Sequence, residues 1–160
     1  MPDGRFAVEI RRALPGDLPA LLRMIEALTR HHDDVPRVTL ETLARDVVGP
    51  APCFQVRMAE TEAGLVGYAA CLPIARLGHG ERGLDLHHLF VAETARGQGI
   101  GTALLRACEA LARDTGCSYV IIGTHPDNRA AQVYYQSLGY EQMPNTAVRF
   151  TRWLDRDGQA

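Results

Sequence analysis

The sequence predicts an α/β protein: a mixed, mostly antiparallel sheet of six to seven strands flanked by about four helices. Three observations carry that expectation. Apolar residues alternate in several short runs bounded by glycine and proline, which is the period of a strand. Elsewhere they recur at three- and four-residue spacing, which is the period of a helix face. Finally, a strand pattern at 86–91 runs through a glycine-rich loop straight into a helix pattern, so both element types share one layered unit.

The elements can be read in order. Phe6, Val8 and Ile10 alternate as a first strand, which Leu14, Pro15, Gly16 and Asp17 break. Asp17 can cap a helix over 17–30 with Leu18, Leu21, Leu22, Ile25 and Leu28 on one face. A second helix begins near Thr39, buries Leu40, Leu43 and Val47, and ends at Pro50 and Pro52. Segments 54–61 and 65–76 read as an antiparallel pair around Glu62, Ala63 and Gly64. A glycine-rich turn at 77–83 leads to the central strand, 84–91. Residues 101–113 form an amphipathic helix through Leu104, Leu105, Cys108 and Leu111, with Gly116 beyond its end. A short buried strand follows at 118–123. Asp127 can cap the next helix, whose Ala131, Tyr134, Tyr135 and Leu138 make one face, and Gly139 suits a left-handed C-terminal position. Segments 140–145 and 147–154 supply the final strands, and the chain loosens from about Asp155. There is no repeat and no linker, so residues 1–160 read as one domain.

Composition narrows the function. Hydrophobic residues make up 46% of the 160, enough for a sizeable core. Net charge is −2 and pI about 6.3, with no basic run, so nucleic acid is not an expected partner. No apolar run approaches the ~18 residues of a membrane span, and Asp3 and Glu9 do not suit a signal peptide. Cys53, Cys71, Cys108 and Cys117 lack metal-like spacing and read as small buried apolar residues. These features suggest a cytoplasmic protein in a reducing compartment.

The glycine loop states the ligand question. Gly97, Gly99 and Gly101 alternate at the start of a helix, whose free N–H groups form a ready anion site. Arg96 adds a fixed positive charge. Three loop types compete. A Walker loop needs a Lys followed by Ser or Thr after its last glycine, which is missing here. A dinucleotide fingerprint needs a third glycine where Thr102 stands. The third type is Arg/Gln-x-x-Gly-x-Gly/Ala, and Arg96-Gly97-Gln98-Gly99-Ile100-Gly101 matches it.

That last pattern resembles the pyrophosphate loop of the GNAT superfamily of acyl-CoA N-acyltransferases. A second block, from Asn128 through Ala131 and Tyr135 to Gly139 and Tyr140, resembles the same family's Asn-x-x-Ala-x-x-x-Tyr-x-x-x-Gly-Phe. The resemblance implies a sheet splayed between its two middle strands. It implies acetyl-CoA as cosubstrate and no metal. The cofactor contacts it assigns are the backbone of Leu89, Phe90 and Val91, the loop Arg96, Gly97, Gln98, Gly99, Ile100, Gly101 and Thr102, and the helix start at Asn128 and Ala131. A Val91 N–H would face the thioester oxygen, and Tyr135 would protonate the leaving thiolate.

The implied reaction transfers an acetyl group to a primary amine of a small molecule, by direct attack in a ternary complex. An alkylamine is protonated at neutral pH, so the site must accept a proton. His87 and His88, just before the oxyanion position, are the candidate bases. His31, His32 and Asp33, at the end of the first long helix, and Asp85 are candidate acceptor-binding residues. If the central strand is regular, Leu84, Leu86 and His88 share one face, and Asp85, His87, Leu89 and Val91 the other. A bulge near His88 would re-aim these groups. Adjacent His87 and His88 are expected on opposite faces, which gives metal binding no support.

Gly67-Tyr68-Ala69-Ala70 and the Gly139-Tyr140 end resemble the diamine (spermidine/spermine) acetyltransferase branch. Members of that branch carry Glu-Asp where this chain has His87-His88, so a polyamine loses its acidic attractor. Another small primary amine, an amino acid analogue or an aminoglycoside fits the same frame. A peptide or protein amine, and an acyl-CoA-binding regulatory domain without turnover, are the alternative readings. Many relatives are dimers, which implies a homodimer.

Overall fold

The structure, a computed structural model, describes residues 7–144 and 147–154. Its backbone gathers into two compact units, Met1–Gly123 and Thr124–Ala160.

The first unit holds a five-stranded sheet whose spatial order follows the chain: β1 (Glu9–Arg12), β2 (Gln55–Thr61), β3 (Gly64–Arg76), β4 (Glu81–Val91) and β5 (Tyr119–Ile122). The first three junctions are antiparallel and β4–β5 is parallel. A parallel junction needs a crossover, and helix α3 (Ile100–Asp114) supplies it. The expected mixed, mostly antiparallel sheet is therefore present. Its first strand lies at 9–12 rather than on Phe6 and Val8, and Phe6 is outside the described residues. The β2–β3 hairpin turns on Glu62 and Ala63, with Gly64 at φ +108°.

Helix α1 (Leu18–His31) follows a 3-10 turn at Pro15–Asp17. Asp17 holds the N-cap position of α1 as expected, but its side chain makes no cap hydrogen bond to that helix. The buried Asp17 carboxylate accepts from the Leu14 N–H at 2.7 Å and from the Arg11 guanidinium at 2.7 and 3.0 Å. Arg11 Nε also donates to Glu60 at 2.6 Å, so one guanidinium fork ties β1 to β2 and to the turn before α1. That bonding to Arg11 holds the Asp17 carboxyl below the usual carboxylate range. Helix α2 (Leu40–Asp46) starts as expected: Thr39 Oγ1 accepts from the Thr42 N–H at 3.1 Å, and Thr42 Oγ1 accepts from the Thr39 N–H at 3.0 Å. Leu43 and Val47 are buried, but Leu40 is not, because it opens the helix on its outer side and stays about half exposed.

The core lies on both faces of the sheet. On one, Leu21 and Met24 of α1 and Leu43 of α2 pack with Met58, Tyr68 and Ala70. On the other, α3 buries Leu104, Leu105 and Cys108 completely. Each such leucine is worth about 1.5–3 kcal/mol of burial. Cys71 and Cys108 are buried as expected and Cys117 is half-buried. Cys53 is exposed, since it lies in the proline-flanked loop after α2, with Sγ 3.9 Å from Asp46.

The second unit contains helix α4 (Arg129–Ser137). Its cap is Asn128, one residue later than expected: Asn128 Oδ1 accepts from the Ala131 N–H at 3.1 Å. Asp127 instead lies 3.7 Å from His125 Nδ1 on the surface. Gly139 takes φ +91°, as its position required. The strands expected at 140–145 and 147–154 do not form at the described residues there, so the sheet has five strands rather than six or seven. Apolar alternation marks a segment able to pair but supplies no ladder. Met143, Val148, Phe150 and Leu154 all stay largely exposed.

Candidate active site

One irregularity in β4 builds the site. Ala70 of β3 pairs with His88, and the next β3 residue, Cys71, pairs with Leu86, so His87 has no opposite residue. This is a β-bulge, and it changes which face the strand presents. Before it, Leu86 shares a face with its partner Cys71, which lies beside Cys108 of α3. After it, His88 and Phe90 share a face with Ala70 and Tyr68, the side that packs with α1 and α2. Leu84, Leu86 and His88 are therefore not on one face.

The bulge also overturns the expectation that the two histidines diverge. Their rings stack, with centroids 4.7 Å apart and planes 14° from parallel. They stand within a row of five rings. Phe54 lies 5.6 Å from His87, Tyr68 lies 6.1 Å from His88, and Phe90 lies 6.0 Å from Tyr68. Phe54 and Tyr68 were not among the sequence candidates. The sequence marks Phe54 only as the start of a strand and Tyr68 only as part of a family resemblance, and neither reading connects them to the histidines. Tyr68 is fully buried and its Oη lies 3.0 Å from His88 Nδ1. Burial, with the positive ends of His87 and His32, pushes the His88 imidazole down to about 4. Among the described residues no group of three or more His, Cys, Asp or Glu could hold a metal ion.

Beyond the bulge β4 also loses a neighbour. β5 pairs with it only from Gly83 to Leu86, while β3 follows it to Val91. β5 is the edge strand here and ends at Ile122, so the expected splay between two middle strands is seen only as a loss of pairing, and Leu89, Phe90 and Val91 carry backbone groups on an edge that β5 does not cover. Gly67 lets β3 close on the end of β4, since a Cβ there would meet the Phe90 carbonyl oxygen at 2.6 Å.

The loop then turns into α3. The Ala92 N–H donates to Val66 O at 2.8 Å, and Arg96 Nε donates to Val91 O at 3.1 Å. The Arg96 side chain thus clasps the end of β4. Gly97 and Gly99 take φ +75° and +80°, a region open to glycine, and a Cβ on either would meet nothing within 4 Å. Conformation, not crowding, fixes glycine at these positions. The Ile100 side chain is core, so only its backbone can face a ligand. Gly101 and Thr102 lie in the first turn of α3, and Gln98 is exposed beside them.

The other candidates are distributed as follows. His31 ends α1, with its ring edge-on to His32 at 5.7 Å, and Asp33 takes φ +56° just after. All three are exposed, and of them only His32 acts on His88. Asp85 pairs with Leu72 and Ile121 in the interior of the sheet, before the bulge. In α4, Asn128 spends its Oδ1 on the cap. Tyr135 is half-buried, with its ring edge-on to Tyr140 at 5.9 Å, and burial raises its phenol above the ordinary value.

The part-paired β4, the glycine loop and the helix behind it fall within the span of one sequence family. The model described as "Acetyltransferase (GNAT) family" matches residues 19–140. The chain belongs to the GNAT family. It is 35% identical over 127 residues to N-acetyltransferase 8B of Homo sapiens, covering 78% of this chain and 55% of that protein. Thialysine N-epsilon-acetyltransferase of Sus scrofa is 31% identical over 143 residues, covering 83% of this chain and 84% of the relative. The chain thus spans about half the length of the first of these relatives. Among solved structures, AAC(6')-Iy with the bisubstrate analogue CoA-S-monomethyl-acetylneamine superposes with TM-score 0.77 at 19% identity. That match covers 92% of this chain and 99% of the other, and it supports the GNAT fold. Among the described residues, no helix is long and apolar enough to cross a membrane.

Proposed function

We propose that this GNAT-family chain is an N-acetyltransferase that moves the acetyl group of acetyl-CoA to a primary amine of a small molecule, by direct attack in a ternary complex. The observation that carries this reading is the uncovered edge of β4 from Leu89 to Val91, which runs straight into the glycine loop. An extended pantetheine arm can pair with such an edge, and the turned backbone at Gly97 and Gly99 can take its pyrophosphate. Acetyl-CoA, once bound, supplies the acyl group as a thioester. The histidine pair accepts the proton that the ammonium form of the acceptor must lose. Tyr135, by its place in the family motif, returns a proton to the leaving sulfur. The thialysine relative supports a small amine as acceptor, and His87-His88 in place of an acidic pair argues against a polyamine.

Melting experiments test the ligand. Saturating acetyl-CoA is expected to raise Tm and NAD to leave it unchanged. No shift with acetyl-CoA, or an equal shift with NAD, overturns the assignment. A panel of amines with free-thiol detection then identifies the acceptor. Tyr135→Phe should lower kcat about 10²–10⁴-fold with little change in the KM for acetyl-CoA. Tyr134→Phe is the control, and if it is the damaging change the α4 register assigned to catalysis is off by one residue.

A further inference from the structure

The stacked histidines are not equivalent. Tyr68 is fully buried, and the polar partner of its Oη is His88 Nδ1 at 3.0 Å. A phenol carries one proton. If Oη accepts from an Nδ1–H, the buried O–H is left without an acceptor, which costs its full desolvation. If Oη donates, only lone pairs are left idle. Nδ1 is then an acceptor, and a neutral ring must carry its proton on Nε2. His87 has no such anchor. It is exposed, unpaired across the bulge, and packed between His88 and Phe54.

We propose that Tyr68 is a positioning residue: it donates to His88 Nδ1, fixes the Nε2–H tautomer, and makes His88 a hydrogen-bond donor, leaving His87 as the pair's proton acceptor. This rests on the reading that the site takes an amine. The step balances within the pair. An N–H bond of the ammonium breaks, its proton bonds to the free ring nitrogen of His87, and the amine keeps the electron pair. His88 cannot take that proton, because one nitrogen receives the Tyr68 O–H and the other already carries hydrogen. The titratable groups facing His88 are His87 on β4, Tyr68 on β3 and His32 after α1; Phe54, on the far side of His87, carries no charge. Each histidine charge disfavours a second on His88, so a protonated His87 reinforces the assignment.

Long-range ¹H–¹⁵N NMR on the full chain reads the tautomer without any assay of activity. His88, assigned by loss of its signals in His88→Gln, should show one neutral form protonated at Nε2 from about pH 8 down to about pH 5.5. Tyr68→Phe keeps the ring, and there the tautomers should mix and His88 should titrate at higher pH. An Nδ1–H form in the wild type, or a His88 that ionises within that range, overturns the proposal. The wild-type spectrum decides the tautomer even if Tyr68→Phe fails to fold. Kinetics then separate the roles. His87→Gln should cost about 100-fold in kcat/KM and abolish the acidic limb of the pH profile. His88→Gln places an amide N–H near the lost Nε2–H, so it should cost about tenfold and keep that limb. Loss of the limb in His88→Gln, or its survival in His87→Gln, overturns the division. If no amine is acetylated, the proposed function fails while the spectrum still decides the tautomer.

Discussion

The two halves of β4 lie in different surroundings. From Gly83 to Leu86 it lies between β3 and β5, and Gly83, Leu84 and Leu86 are buried. From His87 to Val91 it keeps only β3, and every side chain is exposed or half-buried. The backbone is continuous, and one extra residue at the bulge separates the two environments. A single strand can therefore serve as core at one end and as the wall of a site at the other. The register slip lets rings gather on one face while the apolar positions before it stay with α3.

The two halves should fail in different ways. The largest effect belongs to the open half and its loop. Gly99→Val forces a β-branched residue to φ +80° in the turn that presents the backbone to the pyrophosphate. Affinity for CoA should fall about 100-fold or more, about 2.7 kcal/mol, with an unchanged circular-dichroism spectrum. Retained affinity would reduce the loop to an ordinary helix start. In the closed half the damage should be to the fold. A Cβ on Gly83 would overlap the Tyr119 ring, over which Arg76 lies at 4.6 Å. Gly83→Val should cost about 1–3 kcal/mol. That lowers Tm by about 2–4 °C per kcal/mol, while the folded protein binds CoA as before. A variant that melts normally but loses CoA would erase the distinction between the halves.

The smallest effect sharpens the bulge itself. An unfolded histidine protonates near about pH 6.5, whereas the folded His88 is held down to about 4. As pH falls through that window the unfolded chain takes up the proton first, so the fold loses stability between about 6.5 and about 4. His88→Gln removes the linkage, and its Tm should fall less steeply over the same range. Parallel slopes in the two proteins would show that His88 does not carry the difference.

Much of this fold is periodic and so was readable. α1 and α3 fall where their apolar spacing places them, and the loop between β4 and α3 could be recognised from its glycines together with Arg96 and the strand and helix patterns on either side. What periodicity cannot encode was only partly readable: a bulge near His88 is one of two readings of β4, and its consequence for the two rings was not foreseen. The bulge is a property of two paired strands, and nothing in His87-His88 by itself marks which residue lacks a partner. Asp17 read as a cap because caps are local, but Arg11 and Glu60 draw it into an ion triad that spans β1 and β2. Asn128 and Asp127 are both competent caps, and backbone geometry selects the first. The alternation at 147–154 shows what a strand needs on its faces and not where its ladder would come from.

The spatial order of the sheet has a consequence for synthesis. Because strand order equals chain order, each strand from β2 onward meets its neighbour soon after leaving the ribosome. β1 waits through α1 and α2 for β2, and then β2, β3 and β4 can zip as a meander of local contacts. β5 arrives last, after the whole of α3. The seam that β5 bounds is therefore the final part of the sheet to exist, and a nascent chain has no finished cleft until residue 122 is free.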